Sequence, residues 1–201
     1  MTAPTREQIL SAAARLYGEH GFRGTTTRAV AEAAGVNEVT LFRIFGSKEN
    51  LIVEAMRAHG VPVDVGTLPA EPDDPERELT AWATQSRQVL LSMRSMIIQA
   101  MSDAEQHPEM PKCVAKGGEA AYEAIRAYFG RLRDAGFIPA DTDVHGAGSL
   151  LIGALFHDVM SRGVMPQAFP PAADAPATYA RLTLRALGFD AHVRKARRRA
   201  S

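Results

Sequence analysis

The sequence predicts an all-α fold, and three of its features point that way. Apolar residues recur almost everywhere at helical spacing, and no stretch shows the sustained alternation and β-branched enrichment of a strand. Glycine or proline falls where one helical stripe gives way to the next. With 46% hydrophobic and 23% charged residues among 201, the chain can build a packed core, enough for one substantial domain or a small domain joined to a medium one.

The elements can be justified in order. Ile9, Leu10, Ala13, Leu16 and Tyr17 form one helical stripe that Thr5 and Gln8 could open as a capping box and that Gly21 stops. A short helix runs from the Thr25-Thr26-Thr27 cluster to Ala34, where Gly35 supplies a left-handed end. Asn37 can cap a third helix through Phe45, and Ser47 a fourth through about His59. The segment GVPVDVGTLPAEPDDP, residues 60–75, cannot continue a helix and is read as a connector. Beyond it Trp82, Ser86, Val89, Met93, Met96, Ile97 and Ala100 stripe a long helix ending before Pro108. Tyr122, Ile125, Phe129 and Leu132 stripe another, closed by Ala135-Gly136. Residues 144–162 are apolar nearly all round, which suggests burial on two sides. A Pro/Ala-rich loop then leads to a last helix with Tyr179, Leu182, Thr183, Ala186 and Leu187 on one face.

This gives a small helical domain over 1–59, a connector over 60–75, a helical domain over 76–190 and a basic tail over 191–201. Lys and Arg number 23, as do Asp and Glu, so no global charge points to a polyanionic partner. By segment the net charge is +1 for 1–59, −6 for 60–190 and +5 for the tail, read here as a solvated extension. The lone Cys113 excludes an internal disulfide and fits a reducing cytoplasm. No apolar run has the length of a signal peptide or a membrane span. Catalytic motifs are absent, and no cofactor is expected. His145 and His157, twelve residues apart, do not share a helix face, and His107 and Cys113 have no ligand spacing, so no metal site is expected either.

Residues 26–45 read as helix, glycine-containing turn, helix, with Val30, Ala31, Ala34, Val36, Leu41 and Phe45 holding the pair together, which is the pattern of a helix-turn-helix. The stretch GFRGTTTRAVAEAAGVNEVTLFRIFGSKENL, Gly21 to Leu51, goes further: residues 5–59 closely resemble the DNA-binding domain of the TetR family of transcriptional regulators. The resemblance implies an all-helical homodimer in the cytoplasm, with a helix-turn-helix domain, a small-molecule pocket in the C-terminal domain, and repression of transcription until a ligand releases the protein from double-stranded operator DNA. The rival reading is a helical small-molecule carrier or enzyme with a repurposed N-terminal domain.

Ten residues are candidates for DNA contact. Thr26 and Thr27 can offer hydroxyls and backbone N–H groups to a phosphate, or simply cap the helix. Arg28 carries a donor fork suited to guanine. Asn37, Glu38, Val39 and Thr40 occupy the first turn of the second helix of the motif, the part that reaches base edges. Glu38 could accept from a cytosine amino group or merely favour the helix dipole; Val39, where the family often has glycine, could touch a thymine methyl or simply pack. Phe42 stands where tyrosine is usual, so the phenolic hydroxyl is absent, and Arg43 is placed to replace its phosphate contact. Lys48, at the start of the fourth helix, is the strongest phosphate candidate.

In the second domain, Trp82, Ser86, Met93, Met96, Ile97, Tyr122, Phe129, Phe156 and Met160 would be plain core or would line the pocket of a small, mainly apolar effector. Leu151, Leu155, Val159, Tyr179, Leu182 and Ala186 are the expected contacts of a homodimer interface formed by two helices from each chain.

Overall fold

In the computed structural model the described residues are 6–59 and 67–189, and every regular element among them is helical. Thr5, residues 60–66 of the connector and the basic tail lie outside them. The helices are α1 (Arg6–Gly24), α2 (Thr27–Ala34), α3 (Glu38–Phe45), α4 (Lys48–His59), α5 (Pro75–Ser102), α6 (Glu109–Asp134), α7 (Val144–Ser161) and α8 (Ala175–Ala186), with a short 3-10 turn at Pro166–Ala168.

Local chemistry accounts for most of the boundaries. Gly21 breaks α1, adopting φ +67° and ψ −176°, a conformation open essentially to glycine alone, so that the last turn of α1 is offset from the rest. Thr26 caps α2 by accepting from the Ala29 N–H at 3.1 Å, and Gly35 ends it with φ +67° and ψ +34°. Asn37 caps α3 through the Val39 N–H at 2.9 Å, and Ser47 caps α4 through the Asn50 N–H at 3.1 Å. Pro75 opens α5, where its missing N–H costs nothing. Glu78 reaches back to accept from the backbone N–H groups of Asp73 at 3.0 Å and Asp74 at 2.7 Å, satisfying donors that a helix start leaves free. Asp143 caps α7 through His145 and Gly146.

By contacts the chain forms two compact units: residues 1–62 with 92–118, and residues 63–91 with 119–201. The division is not linear. α5 and α6 are continuous helices, and each contributes one part to each unit. In the first unit α1 packs on α2 and α4, α2 on α3, and α3 on α4, around Ile9, Leu10, Tyr17, Val30, Leu41, Phe45, Leu51, Ile52 and Met56. Gly18 of α1 lets the chain pass close to Ser95 of α5: a Cβ there would stand 3.2 Å from the Ser95 hydroxyl. In the second unit Trp82, Ile125, Tyr128, Phe129, Leu132, Leu151, Leu155, Leu184 and Leu187 share one apolar cluster, against which Leu68 closes the described end of the connector. α7 and α8 pack on each other.

The last helix is turned differently from the stripe read in the sequence. Thr183, Leu184 and Leu187 are buried, whereas Leu182 is 55% exposed and Ala186 is also exposed. The helical period puts residues 180, 183, 184 and 187 on one face, with 182 and 186 on the other side.

Candidate nucleic-acid interface

α2 and α3 are both eight residues long, and their orientation follows from what they bury. Val30 and Ala31 turn inward on α2, Leu41 and Phe45 on α3. Thr26, Arg28, Asn37, Val39, Phe42 and Arg43 remain exposed, with Thr27, Glu38, Thr40 and Lys48 half-buried. All ten candidate residues therefore lie in one unit, on the α2–α3 pair and the start of α4.

Several are committed to partners. The Thr27 hydroxyl donates to the Glu38 carboxylate, which ties the first turn of α2 to the first turn of α3. Arg28 Nε donates to Glu32 at 3.0 Å along the helix. Thr26 and Asn37 act as caps, so the capping alternative for Thr26 is realised. Thr25 is buried and satisfied: its hydroxyl donates to the Gly21 carbonyl at 2.8 Å, joining the break in α1 to the start of α2.

Lys48 has an environment that sequence reasoning missed. Its ammonium lies 4.4 Å from the centre of the Phe22 ring, and burial there lowers its pKa although Glu49 and Asp103 act in the opposite direction. Phe22 in turn stacks on His107 with ring centres 3.7 Å apart, and its backbone N–H donates to Asp103 at 3.0 Å. Beside it Arg23 donates to Gln106 at 2.8 Å. The end of α1, the start of α4 and the α5–α6 turn thus share one polar and aromatic contact inside the first unit. The aromatic at position 22 before a Thr-rich helix start, with a lysine at the start of α4, was the available signal.

Residues 9–55 match the sequence model of the bacterial regulatory proteins of the tetR family. Over that stretch, less than a quarter of the chain, the sequence is similar to the N-terminal domain of tetR-family regulators. The chain is 42% identical over 53 residues to the HTH-type transcriptional repressor AcnR of Corynebacterium glutamicum, an overlap of 26% of this chain and 28% of that one. The chain spans less than a third of the length of the curated relatives it matches. The fold likeness extends much further. The crystal structure of a putative TetR-family regulator from Mesorhizobium loti superposes with a TM-score of 0.74 at 22% identity, covering 93% of this chain and 97% of that one. FadR of Bacillus subtilis in complex with stearoyl-CoA gives 0.63 at 16% identity, covering 90% and 96%. The fold likeness therefore covers both units, whereas the family model matches residues 9–55.

The candidate pocket residues divide between the units. Met93, Met96 and Ile97 are buried in the first; Trp82, Ser86, Tyr122, Phe129, Phe156 and Met160 belong to the second. Trp82 and Phe129 are members of the apolar cluster, and the Tyr122 hydroxyl donates to the His145 carbonyl at 3.0 Å. One turn apart on α5, the buried Trp82 Nε1 and Ser86 Oγ have no hydrogen-bond partner among the described residues. Trp82 also borders a groove of about 400 Å³ lined with Thr67, Pro69, Arg77, Glu78, Ala81 and Gln85.

Of the expected interface residues, Leu151, Leu155 and Val159 are at most 3% exposed within the chain itself and face its own core. The outward side of α7 is Leu150, Gly153 and His157, and that of α8 includes Leu182 and Ala186, while Tyr179 is half-buried. Tyr179 is engaged inside the unit: its hydroxyl donates to Asp158 at 2.9 Å. Asp158 has a fully buried side chain and also takes Arg162 at 2.8 and 2.6 Å and Arg87 at 3.3 Å. Burial pushes its carboxyl upward, but the bonds from Arg162 and Tyr179 and the charge of Arg87 outweigh it and hold the pKa below the usual value. Among the described residues no group of three or more His, Cys, Asp or Glu could hold a metal ion; the side chain of Cys113 lies outside them. Nor, among those residues, is any helix long and apolar enough to cross a membrane.

Proposed function

We propose that this protein is a homodimeric, ligand-responsive transcriptional repressor that binds a near-palindromic operator in the cytoplasm and performs no catalysis. The observation that carries the reading is the outward face of α3 in a domain matched to the tetR family: a capped recognition helix with Leu41 and Phe45 turned in and Val39, Phe42 and Arg43 turned out. In this docking the N-terminal residues of the second helix meet base edges while flanking groups hold phosphates. Thr26, Thr27, Arg43 and Lys48 supply the phosphate contacts and Arg28 a base contact from the neighbouring helix. The names of two relatives favour this reading: AcnR is a repressor, and the B. subtilis FadR structure holds stearoyl-CoA.

The effector would bind in the second unit, beside α5. The unpartnered Trp82 indole N–H and Ser86 hydroxyl support this, because buried polar groups are nearly always paired and an acceptor on a mainly apolar ligand would satisfy them. α5 and α6 run from that unit into the first, where Asp103 and His107 touch Phe22, so a change in either helix reaches the DNA-binding domain through that contact. Dimerisation through the exposed side of α7 and α8 sets two recognition helices about 34–36 Å apart, one turn of DNA. A ligand releases DNA only by binding the two spacings with different affinity.

The test is a footprint on the DNA flanking the protein's own gene, backed by a selection from random sequence, across a salt series. One protected near-palindrome is expected, with affinity falling about 0.9 log units per log unit of salt for each neutralised phosphate. Arg28→Ala and Lys48→Ala should weaken binding while the circular dichroism spectrum is kept. Equal, sequence-independent binding by parent and variants would overturn the reading.

A further inference from the structure

Of the two sequence readings of Val39, packing within the chain and contact with a thymine methyl, its exposure disfavours the first. Leu41 and Phe45, one turn apart and buried, fix the inward side of α3. At 100° per residue, Val39 and Arg43 lie opposite them, with Phe42 and Thr40 on the flanks. Val39 is 72% exposed, the most exposed large apolar residue of the described part of the first unit, so little of it packs against the described residues. It sits in the first turn of α3, directly after the Asn37 cap and Glu38.

Two charged groups near it are engaged, while Arg43 projects from the next turn. The Glu38 carboxylate receives the Thr27 hydroxyl, and Arg28 pairs with Glu32. The outermost group of the first turn is therefore an isopropyl, which neither donates nor accepts a hydrogen bond. Among the features that base pairs present in the major groove, only the thymine C5-methyl gains from contact with such a group.

Resting on the regulator reading, we propose that Val39 is a specificity-determining residue that reads one thymine methyl in each operator half-site, with Glu38 serving as a positioning residue that locks α3 to α2 through Thr27. Removing one methyl from an apolar contact weakens binding about fourfold. Two symmetric half-sites double the free-energy change, so both removals together weaken it about fifteenfold.

The experiment uses the full chain and the operator obtained by the footprint or by selection. Each thymine in the protected site is replaced in turn by deoxyuridine, which removes the methyl and leaves every hydrogen-bonding group in place, and affinity is read by fluorescence anisotropy. One position in each half-site should show the fourfold loss. In Val39→Ala, whose exposed side chain is dispensable for folding, the same replacement should cost less than twofold. Specific binding with no thymine sensitive to the replacement, or a sensitivity undiminished in Val39→Ala, would overturn the proposal and leave the regulator reading standing. Failure to find any specific site would overturn both.

Discussion

Replacing Asp158 by asparagine tests whether the polar centre of the second unit holds α5, α7 and α8 together. The substitution keeps the size of the side chain and removes its charge, leaving the Arg162 and Arg87 guanidinium groups, at 2.6–2.8 and 3.3 Å, facing a neutral amide. The side chain is fully buried, and those of Arg87 and Arg162 are 13% and 20% exposed, so water cannot readily replace the lost carboxylate. Breaking one partner out of a buried charge cluster costs about 3–5 kcal/mol. For a chain of this size that corresponds to about 6–20 °C in melting temperature. Tyr179→Phe removes one hydrogen bond to the carboxylate without stranding a charge and should cost about 1.5–3 kcal/mol. The assay is thermal and urea unfolding followed by circular dichroism, with all proteins at one concentration because a dimer's stability depends on it.

The pH dependence supplies an independent check. The folded pKa of Asp158 lies below its ordinary value of 3.8, so its contribution is fully present above that value and is lost as pH falls through it toward the folded pKa. The parent should lose stability on acidification below about pH 5, whereas Asp158→Asn should show a shallower acid slope. A melting temperature within about 2 °C of the parent, or identical acid slopes, would refute the claim that this cluster supports the fold.

Three further outcomes are expected. Gly21→Ala should destabilise the DNA-binding domain by about 1–3 kcal/mol, read by thermal melting, because φ +67° with ψ −176° suits glycine alone and the new methyl would meet the Gln99 amide oxygen. Thr26→Ala and Asn37→Ala should each cost about 1 kcal/mol in urea titrations through loss of a cap, and together should sum, unless the two caps are coupled across the α2–α3 turn. In an ultraviolet alkaline titration Tyr128 and Tyr179 should ionise late: burial, then the Glu78 hydrogen bond, pushes Tyr128 up, and burial, then Asp158, pushes Tyr179 up to about 12. Since both folded values exceed the ordinary 10.0, stability should fall as pH rises past that value, and Tyr179→Phe should reduce the slope.

The parts of this molecule legible in its sequence are those governed by chemistry within a few residues. Thr26, Gly35, Asn37 and Ser47 end or begin helices through bonds spanning two to four positions, and each does so as expected. The outward side of α2 and α3 followed, because both helices bury one side only. The side that α7 turns inward was not legible. That helix is apolar nearly all round, so periodicity could not choose between Leu151, Leu155 and Val159 and the neighbouring stripe of Leu150, Gly153 and His157. The Asp158 cluster was missed for a related reason: its partner Arg87 is 71 residues away, although Arg162 at i+4 was a local clue that a charge inside an apolar helix would be paired. Lys48 was read as a phosphate candidate at a helix start, and only the fold brings Phe22 beneath it.

The same contrast bears on how ligand and DNA could communicate. The tetR match ends at residue 55, yet the contacts that anchor the DNA-binding domain come from residues 92–118, well outside it. Phe22 receives Lys48 from within the domain and His107 and Asp103 from the α5–α6 turn. On the proposed reading, a ligand that shifted α5 or α6 would act on this aromatic side chain, whose ring also lies against the Lys48 ammonium. Replacing His107 by alanine should therefore leave the ligand's grip on the second unit unchanged while reducing the factor by which ligand lowers operator affinity, a coupling measured by anisotropy with and without ligand. An unaltered factor would place the communication elsewhere than at Phe22.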